Sequence, residues 1–197
     1  MKKTILFAGM AGMAMFGMSA CGGGSTYNSA ANSANRAGNT VANAGNSVAA
    51  TPAKAAAPSP AEFIKEAGEG GMEEVALGKL ATQRSKNAEV KKFGQMMVDD
   101  HSKAKEELKA LAGKKNIPVP ADMGAHKSEV DSLSALAGPD FDKKYVEMMV
   151  GDHEKDVAAF QMQADNSSDP DVKAFAAKTL PTLKKHLDAI QAIKGKM

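Results

Sequence analysis

The sequence predicts an all-α protein whose folded part is an antiparallel four-helix bundle, with one short extra helix between the second and third long helices. Three observations predict this fold class. Apolar residues recur with helical spacing throughout residues 61–197. No convincing segment of that region alternates apolar and polar residues as a strand does. Breaks rich in proline, glycine and asparagine divide the region into four long helical segments and one short one, which suits a bundle of ordinary domain size.

Residues 1–20 are predicted to be a lipoprotein signal peptide. Two lysines precede an uncharged apolar stretch that is shorter than the roughly 20 residues a membrane span needs. The stretch ends in Met18-Ser19-Ala20-Cys21, which resembles a bacterial lipobox, with Met where Leu is usual. The resemblance implies that Cys21 is the lipidated first residue of the mature chain. Gly22 after it favours the outer membrane, facing the periplasm. The alternative is a secreted protein with an unmodified cysteine.

The rest of 21–60 is predicted to be a disordered tether. It is built from Asn, Ala, Gly, Ser and Pro, with Arg36 and Lys54 as its charged residues. Such a composition buries too little apolar area to offset chain entropy. All 23 acidic residues follow the signal, and Lys2 and Lys3 account for the formal charge of +2, so the mature chain is neutral. Nucleic acid and anionic membrane surfaces are therefore poor partners, and the predicted membrane contact is the lipid on Cys21.

The domain at 61–197 is divided into helices by its turn residues. Asn87 is a plausible N-cap for the second long helix, and Pro181 lies within the fourth, where it should kink the helix. The predicted helices cover about 62–84, 88–113, 122–136 (the short one), 140–164 and 171–194.

Each long helix carries one polar residue on or beside its core-facing side. At 100° per residue, His101, His153 and His186 lie on the apolar faces or flanks of the second, third and fourth long helices, and Glu74 lies among small residues of the first. Imidazole and carboxylate groups converging inside a bundle are typical of metal centres. The four residues are therefore predicted to hold one transition-metal ion, either iron, zinc or copper.

Three further residues could join that site. Met97 and Met149 each precede a histidine by four residues and so share its face, which would suit copper, and Asp156 shares the face of His153. Asp100 and Asp152 could orient histidines across helices or be solvated. The competing interpretation is that methionines at helical spacing fill the core and that the histidines and Glu74 form a hydrogen-bonded network without metal. His126, on the short helix, is predicted to be a surface residue.

The sequence gives little support for phosphate binding or for nucleophilic catalysis. No glycine-rich phosphate loop follows a strand, and no Ser–His–Asp arrangement has the required turn context. No catalytic residue is predicted, and the protein is more plausibly not an enzyme.

The domain resembles the bacterial domain-of-unknown-function family 4142. The resemblance covers residues 62–194 and is carried by Gly71-Met72-Glu73-Glu74, Asp100-His101, Asp152-His153-Glu154 and Leu180-Pro181-Thr182-Leu183 with His186. It implies a ferritin-like four-helix bundle and no particular activity. It includes Glu74, His101, His153 and His186.

The sequence departs from the di-iron pattern of ferritin-like proteins, in which Glu precedes His by three residues. Val98, Val150 and Leu183 stand at those positions, so a mononuclear site is expected. Two main functions remain open: a membrane-anchored periplasmic bundle that sequesters or senses metal, and a non-catalytic envelope interaction or stress module with a protein partner. A ferroxidase-like oxidation is the enzymatic alternative.

Overall fold

The structure is a computed structural model that describes residues 56–197. It contains five α-helices and one 3₁₀ turn, and the described residues include no strand. The prediction of an antiparallel four-helix bundle with one short extra helix is confirmed. The helices are α1 (Pro60–Arg84), α2 (Ala88–Lys115), α3 (Lys127–Ser134), α4 (Gly138–Asn166) and α5 (Pro170–Lys194), and the 3₁₀ turn is Gly124–His126.

Short loops make antiparallel hairpins of α1 with α2 and of α4 with α5. One apolar cluster contains residues from the end of α1, the start of α2, the start of α4 and the end of α5, and the second cluster contains the opposite ends. Helices α2 and α4 therefore run in the same direction. Residues 116–137, which we call the crossover segment, carry the chain back along the bundle between them. One long crossover is typical of ferritin-like bundles.

Side-chain caps fix where the helices begin. Ser59 and Glu62 form a reciprocal capping box at α1, Asn87 accepts hydrogen bonds from Glu89 N and Val90 N, and Asp169 caps α5 in the same way. The predicted N-cap role of Asn87 is confirmed. Helix α5 continues without interruption through Pro181.

The predicted signal peptide, Cys21 and most of the tether lie outside the described residues. Within residues 56–197, no helix combines the length and the apolar character that crossing a membrane requires.

Helices α1 and α2 touch backbone to backbone at one pair of glycines. A β-carbon on Gly78 would lie 2.6 Å from the carbonyl oxygen of Gly94, and one on Gly94 would lie 2.7 Å from that of Gly78. No side chain fits at either position, so the interhelical distance depends on both residues. This contact lies one turn from Glu74 and two turns from His101, and so it holds α1 and α2 close together beside the polar residues.

The substitution Gly94→Ala is expected to lower the free energy of unfolding by about 2–3 kcal/mol, because the added methyl group forces α1 and α2 apart. Chemical denaturation of the purified protein measures this. Gly151→Ala is the matched control, since a β-carbon there meets no atom within 4 Å. It should raise stability by about 0.5–1 kcal/mol through helix propensity. Equal stability changes in the two variants would contradict the close-contact interpretation.

Candidate metal centre

A buried polar layer separates the two apolar clusters of the bundle. Glu74 of α1, His101 of α2, His153 of α4 and His186 of α5 all lie in it, near the middle of their helices. His153 and His186 are fully buried, and Glu74 and His101 are 2% and 6% exposed. The structure thus brings together the four residues that the sequence singled out.

The three imidazole rings form a nearly equilateral triangle, which we call the histidine cluster (His101, His153, His186). Their centroids are 5.4, 5.4 and 5.7 Å apart. One ring nitrogen from each histidine lies within 4.8 Å of one from each of the others. Three imidazoles bound tetrahedrally to one ion at about 2.0–2.1 Å per bond would place their centroids about 5 Å apart. The observed triangle is therefore close to the dimensions of a three-histidine metal site.

Each ring has one nitrogen facing an oxygen atom. His153 Nδ1 donates to the Met149 carbonyl oxygen at 2.9 Å, and His186 Nε2 donates to Asp100 Oδ2 at 3.0 Å. His101 Nδ1 lies 2.8 Å from Glu74 Oε2, although the contact is not aligned as a hydrogen bond. A carbonyl or ionised carboxylate oxygen can only accept, so the contacts of His153 and His186 favour a proton on the facing nitrogen, and an ionised Glu74 favours the same tautomer of His101.

The opposite nitrogens are buried and have no hydrogen-bond partner among the described residues. They are His101 Nε2, His153 Nε2 and His186 Nδ1. In the favoured tautomers each carries a lone pair. Histidines that bind metals show this same arrangement, with one nitrogen on the ion and the other donating to a carbonyl or carboxylate.

Glu74 carries a buried carboxylate without a basic partner. No lysine or arginine of the described chain lies within ion-pair distance of Glu74 or of its neighbour Asp156. Burial raises the pKa of Glu74 to about 7. Burial and the adjacent Glu74 carboxylate hold the pKa of Asp156 well above its usual range. The pair therefore needs a proton or a nearby cation to offset its desolvation.

Burial favours the neutral form of all three histidines. Burial lowers the pKa of His153 to about 4, and it also lowers the pKa values of His101 and His186. Neutral imidazole is the form that binds metals, so these rings need not lose a proton to coordinate an ion.

A small cavity reaches the polar layer beside Glu74, His101 and Asp156. Its volume is about 30 Å³, enough for a water molecule or another small ligand and too small for an organic substrate. Glycine at position 71, on the same wall, helps to leave this space open.

The other predicted residues take different positions. Asp156 lies next to Glu74, in agreement with its predicted position on the same helix face as His153. Met97 and Met149 are fully buried in the apolar cluster beside the polar layer, and the Met149 backbone holds His153. Asp100 hydrogen-bonds to His186 across helices, one of the two roles the sequence left open for it.

Two residues were not recognised from the sequence. His126, predicted to be a surface residue, is 32% exposed, and its Nδ1 is 2.5 Å from Oε2 of Glu73, which is only 2% exposed. The burial of Glu73 depends on the crossover segment that covers α1. Helical periodicity cannot predict the path of that segment, and the acidic pair Glu73-Glu74 was the one available signal.

Comparisons with known proteins support the fold. A family model described as "Domain of unknown function (DUF4142)" matches residues 45–193. No curated protein sequence matches the chain significantly. A DUF305 fragment from Deinococcus radiodurans is structurally similar, with a TM-score of 0.63, 17% identity, and coverage of 72% of this chain and 99% of that one. A DUF305 protein from Streptomyces coelicolor has a TM-score of 0.59, 14% identity, and coverage of 70% and 92%.

Proposed function

The chain belongs to the DUF4142 family, and we propose that its helical domain binds one first-row transition-metal ion through His101, His153 and His186. The observation that carries the proposal is the set of three buried, unpartnered ring nitrogens on rings whose other nitrogens face oxygen atoms. Leaving three such acceptors unsatisfied in a core is costly. One ring nitrogen of each histidine lies within 4.8 Å of one from each of the other two, which is a spacing that a single ion can bridge.

The carboxylates have supporting roles in this proposal. Glu74 lies 2.8 Å from His101 Nδ1 and 3.4 Å from His153 Nδ1, on the protonated side of both rings. From there it orients the imidazoles and supplies negative charge to the ion, as Asp100 does for His186. Direct ligation by Glu74, which the sequence suggested, stays a prediction.

The donor set favours an ion that accepts three imidazoles and one small ligand. Iron, zinc and copper all meet this description, and Zn²⁺ and Cu²⁺ bind nitrogen ligands more tightly than Fe²⁺. The cavity has room for water beside Glu74 and Asp156, on the side of the His101 ring that faces away from its unpartnered Nε2. The proposed role is to sequester or sense metal.

We place this activity in the cell envelope. The lipobox-like sequence ending at Cys21 supports a lipid anchor, and the tether would hold the bundle away from the membrane. Gly22 supports the outer membrane, with the domain facing the periplasm. A partner protein in the envelope would deliver or receive the ion.

A Co²⁺ titration of metal-free protein, purified without a histidine tag, tests the proposal. We expect about one equivalent to bind and to give the visible absorption of a tetrahedral site. His101→Ala and His153→Ala should each abolish the signal. His126→Ala is the matched control and should retain it, since His126 lies outside the histidine cluster. Equal binding by all four proteins, or no binding by the natural sequence, would refute the proposal.

The alternative is a structural network in a non-catalytic envelope module. It is favoured by the contacts within the layer, since the Glu74–Asp156 pair can hold a proton in place of an ion. A structural network without metal does not explain three ring nitrogens that have no hydrogen-bond partner, which are His101 Nε2, His153 Nε2 and His186 Nδ1. Chelation of metal should then leave the melting temperature unchanged.

A further inference from the structure

A second group of polar residues lies on the outer side of the same helices. Glu73 of α1, Glu129 of α3 and Asp152 of α4 each place one carboxylate oxygen within 4.8 Å of the other two, and we call them the carboxylate cluster. Glu73 and Asp152 directly precede Glu74 and His153 in the chain. Since successive helical residues point about 100° apart, the two clusters lie side by side.

The carboxylate cluster contains buried oxygen atoms that lack partners. The Glu73 side chain is 2% exposed, and its Oε1 has no hydrogen-bond donor among the described residues. Asp152 Oδ2 is also buried and unpartnered, while Asp152 Oδ1 lies 3.2 Å from Lys155 Nζ. Burial and then the carboxylates of Asp152 and Glu129 raise the pKa of Glu73 to about 8. Two buried carboxylate oxygens, Glu73 Oε1 and Asp152 Oδ2, are thus left without a hydrogen-bond partner beside Glu129.

The nearest histidine orients one of these oxygens. His126 Nδ1 lies 2.5 Å from Glu73 Oε2, which fixes the carboxylate and leaves Oε1 available to the cluster. Glu129 is exposed, so the cluster opens to solvent and an ion can enter.

We propose that Glu73, Glu129 and Asp152 form a second cation site, selective for a hard divalent ion that prefers oxygen ligands. Three carboxylates suit Mn²⁺, Mg²⁺ or Ca²⁺, whereas the three imidazoles of the histidine cluster suit softer ions. The proposal does not depend on metal binding at the histidine cluster.

A cation bound at the carboxylate cluster would link the crossover segment to the bundle. The short helix α3 has one fully buried side chain, Leu133, and its end is also held where Arg84 donates to the Ser134 carbonyl. An ion shared by Glu73, Glu129 and Asp152 would add a link between α3 and both α1 and α4. Ion binding should therefore reduce the opening of residues 116–137.

Electron paramagnetic resonance with Mn²⁺ as the probe tests the site in the purified protein. We expect about one bound ion, and at least a tenfold loss of affinity in Glu129→Gln and in Asp152→Asn. Glu154→Gln, an exposed change of the same kind on α4, is the control and should bind as the natural sequence does. His153→Ala should retain Mn²⁺, which separates this result from the outcome at the histidine cluster.

Hydrogen exchange gives the second measurement. Mn²⁺ should slow amide exchange in residues 116–137 of the natural sequence and leave it unchanged in Glu129→Gln. Because Glu129 is exposed, this variant is expected to fold normally. No Mn²⁺ binding below millimolar concentrations, or equal binding by Glu129→Gln and the natural sequence, would overturn the proposal.

Discussion

Zn²⁺ added to the metal-free protein at a thousandfold excess over its dissociation constant is expected to raise the free energy of unfolding by about 4 kcal/mol. For a domain of this size, that corresponds to an increase in melting temperature of about 12 °C. The physical reason is that the histidine cluster is assembled from α2, α4 and α5 and exists only in the folded state. Thermal unfolding followed by circular dichroism measures the shift.

Two variants test whether the Zn²⁺-dependent stabilisation comes from the histidine cluster. His153→Ala should lose nearly the whole Zn²⁺-dependent increase, because it removes one of three ligands and the remaining two bind weakly. His126→Ala should keep it. Both comparisons use the shift between metal-free and loaded forms of the same variant, so a change in intrinsic stability does not affect them. An unchanged melting temperature of the natural sequence with Zn²⁺, Cu²⁺ and Fe²⁺ would favour the structural network instead.

Most of the fold could be predicted from the sequence because the ends of helices depend on local residues. Capping residues and prolines mark the ends of the helices, and the predicted second helix began at the observed Ala88. The predicted ends of the other long helices lie within two residues of the observed ones. Asn116, in the left-handed conformation, ends α2 two residues later than predicted.

The histidine cluster was predictable for a related reason. His101, His153 and His186 lie on or beside apolar faces, and a four-helix bundle has one core into which those faces must point. What periodicity could not provide was the rotation of each ring. The distinction between Glu74 as a ligand and Glu74 as an orienting group depends on which imidazole nitrogen it faces, and this is decided by the packing of α1 against α2 and α4.

The carboxylate cluster was not predicted because it depends on the crossover segment. Glu73 lies about 100° from Glu74 around α1, which the helical wheel places away from the core. It is buried because His126 and the rest of the crossover segment pack over it. The path of such a connection depends on long-range packing, for which a single sequence gives no periodic signal.

The two clusters together suggest why Glu73-Glu74 and Asp152-His153 are adjacent pairs. Glu74 and His153 face the bundle interior, whereas Glu73 and Asp152 face the crossover segment. The Asp152 carboxylate also contributes to the raised pKa values of both Glu73 and Glu74. A cation on the carboxylate cluster would therefore act electrostatically on the histidine cluster through residues that are neighbours in the chain.

The affinity for Zn²⁺ is expected to fall about tenfold for each pH unit below pH 7, which is a slope of one proton per ion. The sign follows from the raised pKa of Glu74. The ionised carboxylate lies 2.8 Å from His101 Nδ1 and supplies negative charge near the ion, and as the pH falls through about 7 protonation removes that charge. Burial lowers the pKa of His153 to about 4 and also lowers the pKa values of His101 and His186, so the imidazoles compete for protons less than ordinary histidines do.

Calorimetric titrations with Zn²⁺ between pH 5.5 and pH 7.5 measure this slope. Three ordinary imidazoles would instead give a slope approaching three below their usual pKa of about 6.5. Glu74→Gln should reduce the slope, because the amide has no charge to lose, and should weaken binding at pH 7.5 by about 10–100-fold. Glu66→Gln, an exposed change on the same helix, is the matched control and should retain both the slope and the affinity. A slope near three, or an unchanged slope in Glu74→Gln, would show that Glu74 does not control the protonation of the site.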